Sequence, residues 1–136
     1  MKSQLVVAVE WDDLTGVLHC HFTNVGRTEV RIRPPIEQLD VRARGAGMFT
    51  FPLCTALHVL SYGVLTEVLG PGKSREYALQ LREDVLWPSK GTFTVWVEYD
   101  ALAKGLYWET GMPKPTNIVA SSNEVQIEVD DRYSEL

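Results

Sequence analysis

Residues 91–100 read GTFTVWVEYD, and every second side chain is of one kind. Phe93, Val95, Val97 and Tyr99 fall on one face of an extended chain, with Thr92, Thr94, Trp96 and Glu98 on the other. A helix repeats its faces every 3.6 residues and a strand every two, so this period excludes a helix. Threonine, valine and the aromatic residues also pack well on a pleated surface. The segment is a strand with one face in a core. The same alternation recurs at Leu5, Val7 and Val9; at Leu18, Cys20 and Phe22; and at Val30 and Ile32. It continues at Leu39 and Val41; at Tyr77, Leu79 and Leu81; and at Val125, Ile127 and Val129. Turn-forming residues separate these runs: Asp12-Asp13, Asn24-Val25-Gly26, Pro34-Pro35, Gly45-Ala46-Gly47, Gly70-Pro71-Gly72 and Pro88-Ser89. Short strands spaced in this way predict an all-β sandwich or barrel. With 136 residues and no internal repeat, the expectation is one domain over residues 1–136. Residues 43–63 fit either a further strand excursion or a short helix. Residues 100–122 form a connection longer than most, and long connections are often functional.

The stretch LGPGKS at residues 69–74 raises the possibility of a phosphate-binding loop. Such a loop needs a glycine five positions before Gly72, where this chain has Glu67, and it must open a helix. The following REYALQL alternates as a strand instead. A turn accounts for the same residues: Pro71 presets the bend, Gly72 supplies a positive φ, and VLTEVL and REYALQL are expected to pair across it.

A leucine followed by Pro-Gly-x-Ser, an alternating strand, a Pro/Gly turn, a G-x-F-x-V-x-V strand and a closing SNEVQIEV resembles bacterial immunoglobulin-like sandwiches. Within them it resembles the intracellular proteinase-inhibitor type. The resemblance covers roughly residues 64–130 and implies an immunoglobulin-like antiparallel β-sandwich of about seven to nine strands. Two departures stand out. The position two residues after Phe93 is Val95, so the disulfide of antibody domains is absent, and Phe93 lacks the hydroxyl of a tyrosine corner.

His19-Cys20-His21 puts two imidazoles on one strand face, about 7 Å apart, with Cys20 on the other. Zinc requires three or four ligands, and the only other histidine is His58, so no metal or other cofactor is expected. Glu10, Asp12 and Asp13 would meet Asp130 and Asp131 at one pole if the first and last strands lie side by side. They lack calcium-ligand spacing, and a solvated acidic end is expected. Ser61 and Cys20 have no local signature of an activating base, so no enzyme is expected. The two cysteines, Cys20 and Cys54, form neither a disulfide framework nor a metal motif.

The aromatic residues carry the functional expectation. Trp96 faces outward from its strand, and Tyr107, Trp108 and Met112 sit in the 100–122 connection. These residue types concentrate in interface cores. The expected function is a non-catalytic protein-binding module, inhibitor-like, that presents this loop with help from the 24–27 and 69–74 turns. Self-association through strand faces and edges, with Trp96 as a dimer contact, is the alternative. A neutraliser of a basic enzyme is another, and carbohydrate binding ranks last because there is no row of tryptophans. A net charge of −5 without a basic run argues against nucleic acid. The apolar stretch at residues 5–9 is too short for a signal peptide or membrane span, so a cytoplasmic protein is expected.

Overall fold

The computed structural model describes residues 4–32, 39–45, 50–52, 54–55, 67–83, 85–101 and 116–133. All regular structure among them is β: β1 (Leu5–Asp12), β2 (Val17–Asn24), β3 (Val30–Ile32), β4 (Leu39–Arg44), β5 (Thr50–Pro52), β6 (Cys54–Thr55), β7 (Glu67–Leu69), β8 (Ser74–Gln80), β9 (Val85–Leu86), β10 (Gly91–Asp100), β11 (Val119–Ser121) and β12 (Val125–Val129). One sheet runs β1-β2-β8, and the other runs β11-β10-β4-β5 with β12 also paired to β10. The short pairs β3-β7 and β6-β9 complete the described strands. Every pairing is antiparallel. The result is a β-sandwich. Of the two alternatives for residues 43–63, the described part shows strands, β5 and β6, while the apolar run at 56–60 lies outside the described residues.

The inward residues are those that the alternation assigned. Leu5, Val7, Val9, Leu18, Cys20 and Phe22 of one sheet meet Val41, Ala43, Phe93, Val95, Val97, Tyr99, Ile127 and Val129 of the other in one buried cluster. Phe22 and Tyr99 make an edge-to-face contact, with centroids 5.2 Å apart. Such a pair adds about 0.5–1.5 kcal/mol beyond the area it buries. Trp87 is wholly buried at one end of the core, and its indole N–H donates to the Leu81 carbonyl at 3.0 Å, so its one polar group is satisfied.

The turn at 69–74 is confirmed as a turn, but not as a hairpin. Gly72 has φ +74° and β8 follows directly, yet β7 pairs with β3 and β8 pairs with β2. The expected pairing of VLTEVL with REYALQL is therefore corrected: the turn carries the chain from one small sheet to another. Asn24, at the end of β2, enforces the change. Its backbone accepts from Gly72 N–H at 2.8 Å and donates to the Lys73 carbonyl at 3.0 Å, hooking the turn onto β2. Its side-chain amide donates to the Leu69 and Thr28 carbonyls, each at 2.8 Å, and its side-chain oxygen accepts from Gly26 N–H at 2.9 Å. Asn24 is completely buried, and these bonds are why a polar side chain can be there.

β11 and β12 are one edge strand with a break. Glu98 is opposite Ser121, but Val95 is opposite Val125, so the register slips by one residue between them. This is a β-bulge, and it reverses which residues face inward, from Ala120 to Val125, Ile127 and Val129. Ser122 holds the β10 side, where its hydroxyl accepts from Val97 N–H and its own N–H donates to the Val97 carbonyl, both at 2.9 Å. Asn123 turns the other way. Its side chain accepts from Val9 N–H at 2.8 Å and donates to the Val9 carbonyl at 3.0 Å, so the bulge ties the edge of β1 to the opposite sheet.

Candidate binding surface

Trp96 lies on the outward face of β10, as its position in the alternation requires, and is partly exposed. It pairs across the ladder with Arg42 of β4, and Arg44 is the next outward residue along that strand. The Arg44 guanidinium sits 5.5 Å from the indole centroid and reaches on to Glu124, at 3.2 Å, beside the bulge. The ring is thus capped by a cation held from both sides. Arg42 forms a second ladder, 2.7 Å from Asp40 and 3.3 Å from Glu98. The sheet therefore presents a tryptophan beside two arginines of β4, with carboxylates ordering both guanidinium groups.

Tyr107, Trp108 and Met112 lie outside the described residues. Both ends of their connection are fixed. Ala101 N–H donates to the Ile118 carbonyl at 3.0 Å. Thr116 N–H donates to the Arg31 carbonyl at 2.8 Å, and the Thr116 hydroxyl accepts from Arg31 N–H at 2.9 Å. Beyond Thr116 the chain forms β11, whose edge faces that of β1 across a groove of about 640 Å³ lined by Leu5, Val6, Val7, Val25, Val119, Ala120 and Ser121. Val6, Val25 and Val119 are exposed along it.

The acidic pole forms, but as a network of ion pairs. Arg132 binds Asp130 through two nitrogens at 2.8–3.1 Å and approaches Asp13 at 3.5 Å. Arg82 contacts the Asp13 carboxylate and carbonyl, and Lys90 pairs with Asp131. The Arg132 hydrogen bonds hold the Asp130 carboxyl down at about 2. Both guanidinium groups lie against Tyr133, at 5.1 Å for Arg82 and 5.9 Å for Arg132, while Trp87 meets the same ring edge-on. Asp12 instead closes its own turn through Leu14 N–H and the Thr15 hydroxyl. Glu10 is not at this pole.

Glu10 lies instead on the outward face of the β1-β2-β8 sheet, beside the two histidines. Its carboxylate is 3.7 Å from His21 Nε2, and the Glu76 carboxylate of β8 is 2.8 Å from His19 Nδ1. Among the described residues, no group of three or more His, Cys, Asp or Glu side chains is placed to hold a metal ion. Cys20 points inward as expected, and burial pushes its thiol up to about 12, which leaves it inert as a nucleophile at neutral pH. The sequence pattern identified Trp96 and the histidines. It missed Arg42, Arg44, Glu10 and Glu76 as their neighbours, because cross-strand register has no local signal. Among the described residues, no helix is long and apolar enough to cross a membrane. Comparison with protein-family models and with curated proteins gives no match.

Proposed function

We propose that the chain is an immunoglobulin-like, non-catalytic protein-binding module. The observation that carries the reading is Trp96, partly exposed on an outward sheet face beside Arg42 and Arg44 of β4. Tryptophan and arginine are the residues that most often dominate binding energy at protein interfaces, and a rigid strand is a precise place from which to present them. The second contact element is the part of the expected 100–122 connection that carries Tyr107, Trp108 and Met112. β11 takes residues 119–121 out of it, and it is pinned at Ala101 to the Ile118 carbonyl and at Thr116 to Arg31. The immunoglobulin-like assignment is supported by strand order. β1-β2-β8 facing β12-β10-β4 follows the A-B-E and G-F-C arrangement of such domains. On this reading the module acts as an inhibitor of a protease or other enzyme in the cytoplasm.

The test is capture from lysate of the native cell on the purified protein, with Trp96→Ala and Trp108→Ala variants shown to be folded. A single identified enzyme held by the wild type and lost from Trp96→Ala is the expected result, with affinity reduced at least 10-fold. Equal capture by all three proteins would sink the proposal. If the captured enzyme is basic, its association rate should fall steeply with salt, which selects the neutraliser form. Self-association is favoured by one observation, the apolar groove between the β1 and β11 edges. A mass that rises with concentration and is restored to the monomer by Val119→Lys would select it.

A further inference from the structure

We propose that the outer edge of β8 is a homodimer contact: two copies of this chain pair their β8 strands antiparallel about a two-fold axis at Ala78, which joins their β1-β2-β8 sheets into one. β8 ends its sheet, and among the described residues no strand pairs with its outer side. In an antiparallel ladder, alternate residues turn their N–H and C=O groups to opposite sides. Asn24 of β2 bonds toward Gly72 and Lys73, which lead into β8. Phe22, Cys20 and Leu18 follow Asn24 with a period of two, so they exchange backbone bonds with Arg75, Tyr77 and Leu79 opposite them. Glu76, Ala78 and Gln80 therefore direct their backbone groups to the outer edge, where a further strand can add.

The two edges of this sheet differ. The outer edge of β1 is covered at Val9 by the Asn123 side chain. β8 has neither a proline nor a bulge over Ser74–Gln80. Its two charged side chains are drawn back onto their own molecule, Arg75 Nε to Glu67 at 3.2 Å and the Glu76 carboxylate to His19 Nδ1 at 2.8 Å. The apolar face is open as well. Leu18, Cys20 and Phe22 are completely buried, whereas Tyr77 and Leu79, which continue the same face on β8, are only partly so.

The strand complements itself, and this selects a second copy as the occupant. Centred on Ala78, Ala78 meets Ala78 of the other copy, Glu76 meets Gln80, and Tyr77 meets Leu79. A carboxylate thus faces an amide donor, and an aromatic ring faces an aliphatic side chain over the part of the core that β8 leaves open. No two like charges stand opposite each other. Centring on Glu76 would set two carboxylates together, and centring on Tyr77 would set Arg75 against Leu79. A contact between two strands of 7 residues is at the small end for specific interfaces, so the dimer is expected to dissociate in the micromolar range. Trp96 is in the other sheet, so the dimer stands or falls apart from the reading built on it.

The test is sedimentation equilibrium on the full chain over a range of concentrations, with melting curves to establish that each variant is folded. The wild type, Trp96→Ala and Val119→Lys should all dimerise. Ala78→Lys, at an exposed position, sets two cations across the axis and should weaken the dimer at least 10-fold. Mild oxidation reads the register, with the wild type as the background from Cys20 and Cys54. Ala78→Cys should form a disulfide between copies, because residues paired at the axis lie about 5.5 Å apart. Glu76→Cys should not, because its copies are about four residues apart along the strand, or roughly 14 Å. A chain that stays monomeric to about 1 mM overturns the proposal. So does a dimer lost in Val119→Lys and kept in Ala78→Lys, which would place the contact in the β1–β11 groove. A monomer whose captured lysate protein is lost in Ala78→Lys overturns it in favour of a partner's strand. Equal linking by Glu76→Cys overturns the register.

Discussion

The two ends of the β1-β2-β8 sheet are held by opposite kinds of chemistry. At the Leu5–Asn24 end, a completely buried, uncharged asparagine gathers backbone groups from three segments of chain. At the Asp12–Val17 end, Arg82, Arg132 and Lys90 pair with the exposed carboxylates of Asp13, Asp130 and Asp131, and two of the cations lie on Tyr133, Arg82 with its side chain largely buried. A neutral hydrogen bond out of reach of water is expensive to leave unmade. An exposed ion pair is screened by solvent and contributes little. The end with more contacts in view should therefore be the weaker one.

The largest effect should come from Asn24→Leu. It strands the Leu69 carbonyl in the interior and the Thr28 carbonyl and Gly26 N–H where water partly reaches, so at about 1–3 kcal/mol for the buried loss and about 1 kcal/mol for each of the others the total is about 3–5 kcal/mol. Urea denaturation should show this loss nearly unchanged between low and high salt; a loss that disappears in salt would reverse the comparison. Next come two glycines, one at each end. Gly16 has φ +72°, and an added Cβ would stand 2.5 Å from the Arg82 Cβ, whereas Gly72 has φ +74° and open space around it. Gly72→Ala should cost about 1 kcal/mol, the strain of a left-handed residue alone. Gly16→Ala should cost about 2–3 kcal/mol, because it also displaces Arg82. Equal losses would mean that the ionic end yields freely.

Smallest is Asp130→Asn. With its folded carboxyl near 2, below the ordinary value of about 3.9, Asp130 contributes stability that is complete above the ordinary value and is lost as pH falls through about 2. The variant should flatten that acid limb of the stability curve while shifting the neutral-pH midpoint little. High salt should narrow the remaining difference.

How legible each end was in the sequence follows from the same contrast. Alternation found the buried faces because burial leaves a period of two, and Phe93, Val95, Val97 and Tyr99 are all buried. It placed the carboxylates of Asp13 and Asp130 together because both follow strands. It could not find Asn24, which reads as one more turn residue beside Gly26, or the change of sheet that Asn24 imposes on residues 69–74. The bulge at Ser122–Asn123 left a trace, the change of phase between Ala120 and Val125, but a gap between two runs looks the same as any turn. At the candidate surfaces, Trp96 and the histidines were legible from their own strands. Their partners were not, because Arg44 and Trp96, or His19 and Glu76, meet only once strands distant in sequence are in register.

The Asn123 clamp on Val9 joins residues 114 positions apart. During synthesis β1 is made before Asn123, so its outward edge lacks this cover while the residues between them are added. A nascent strand with bare N–H and C=O groups is a template for pairing with a neighbouring chain. That interval is an aggregation hazard, and a chaperone that binds β1 and β2 would relieve it.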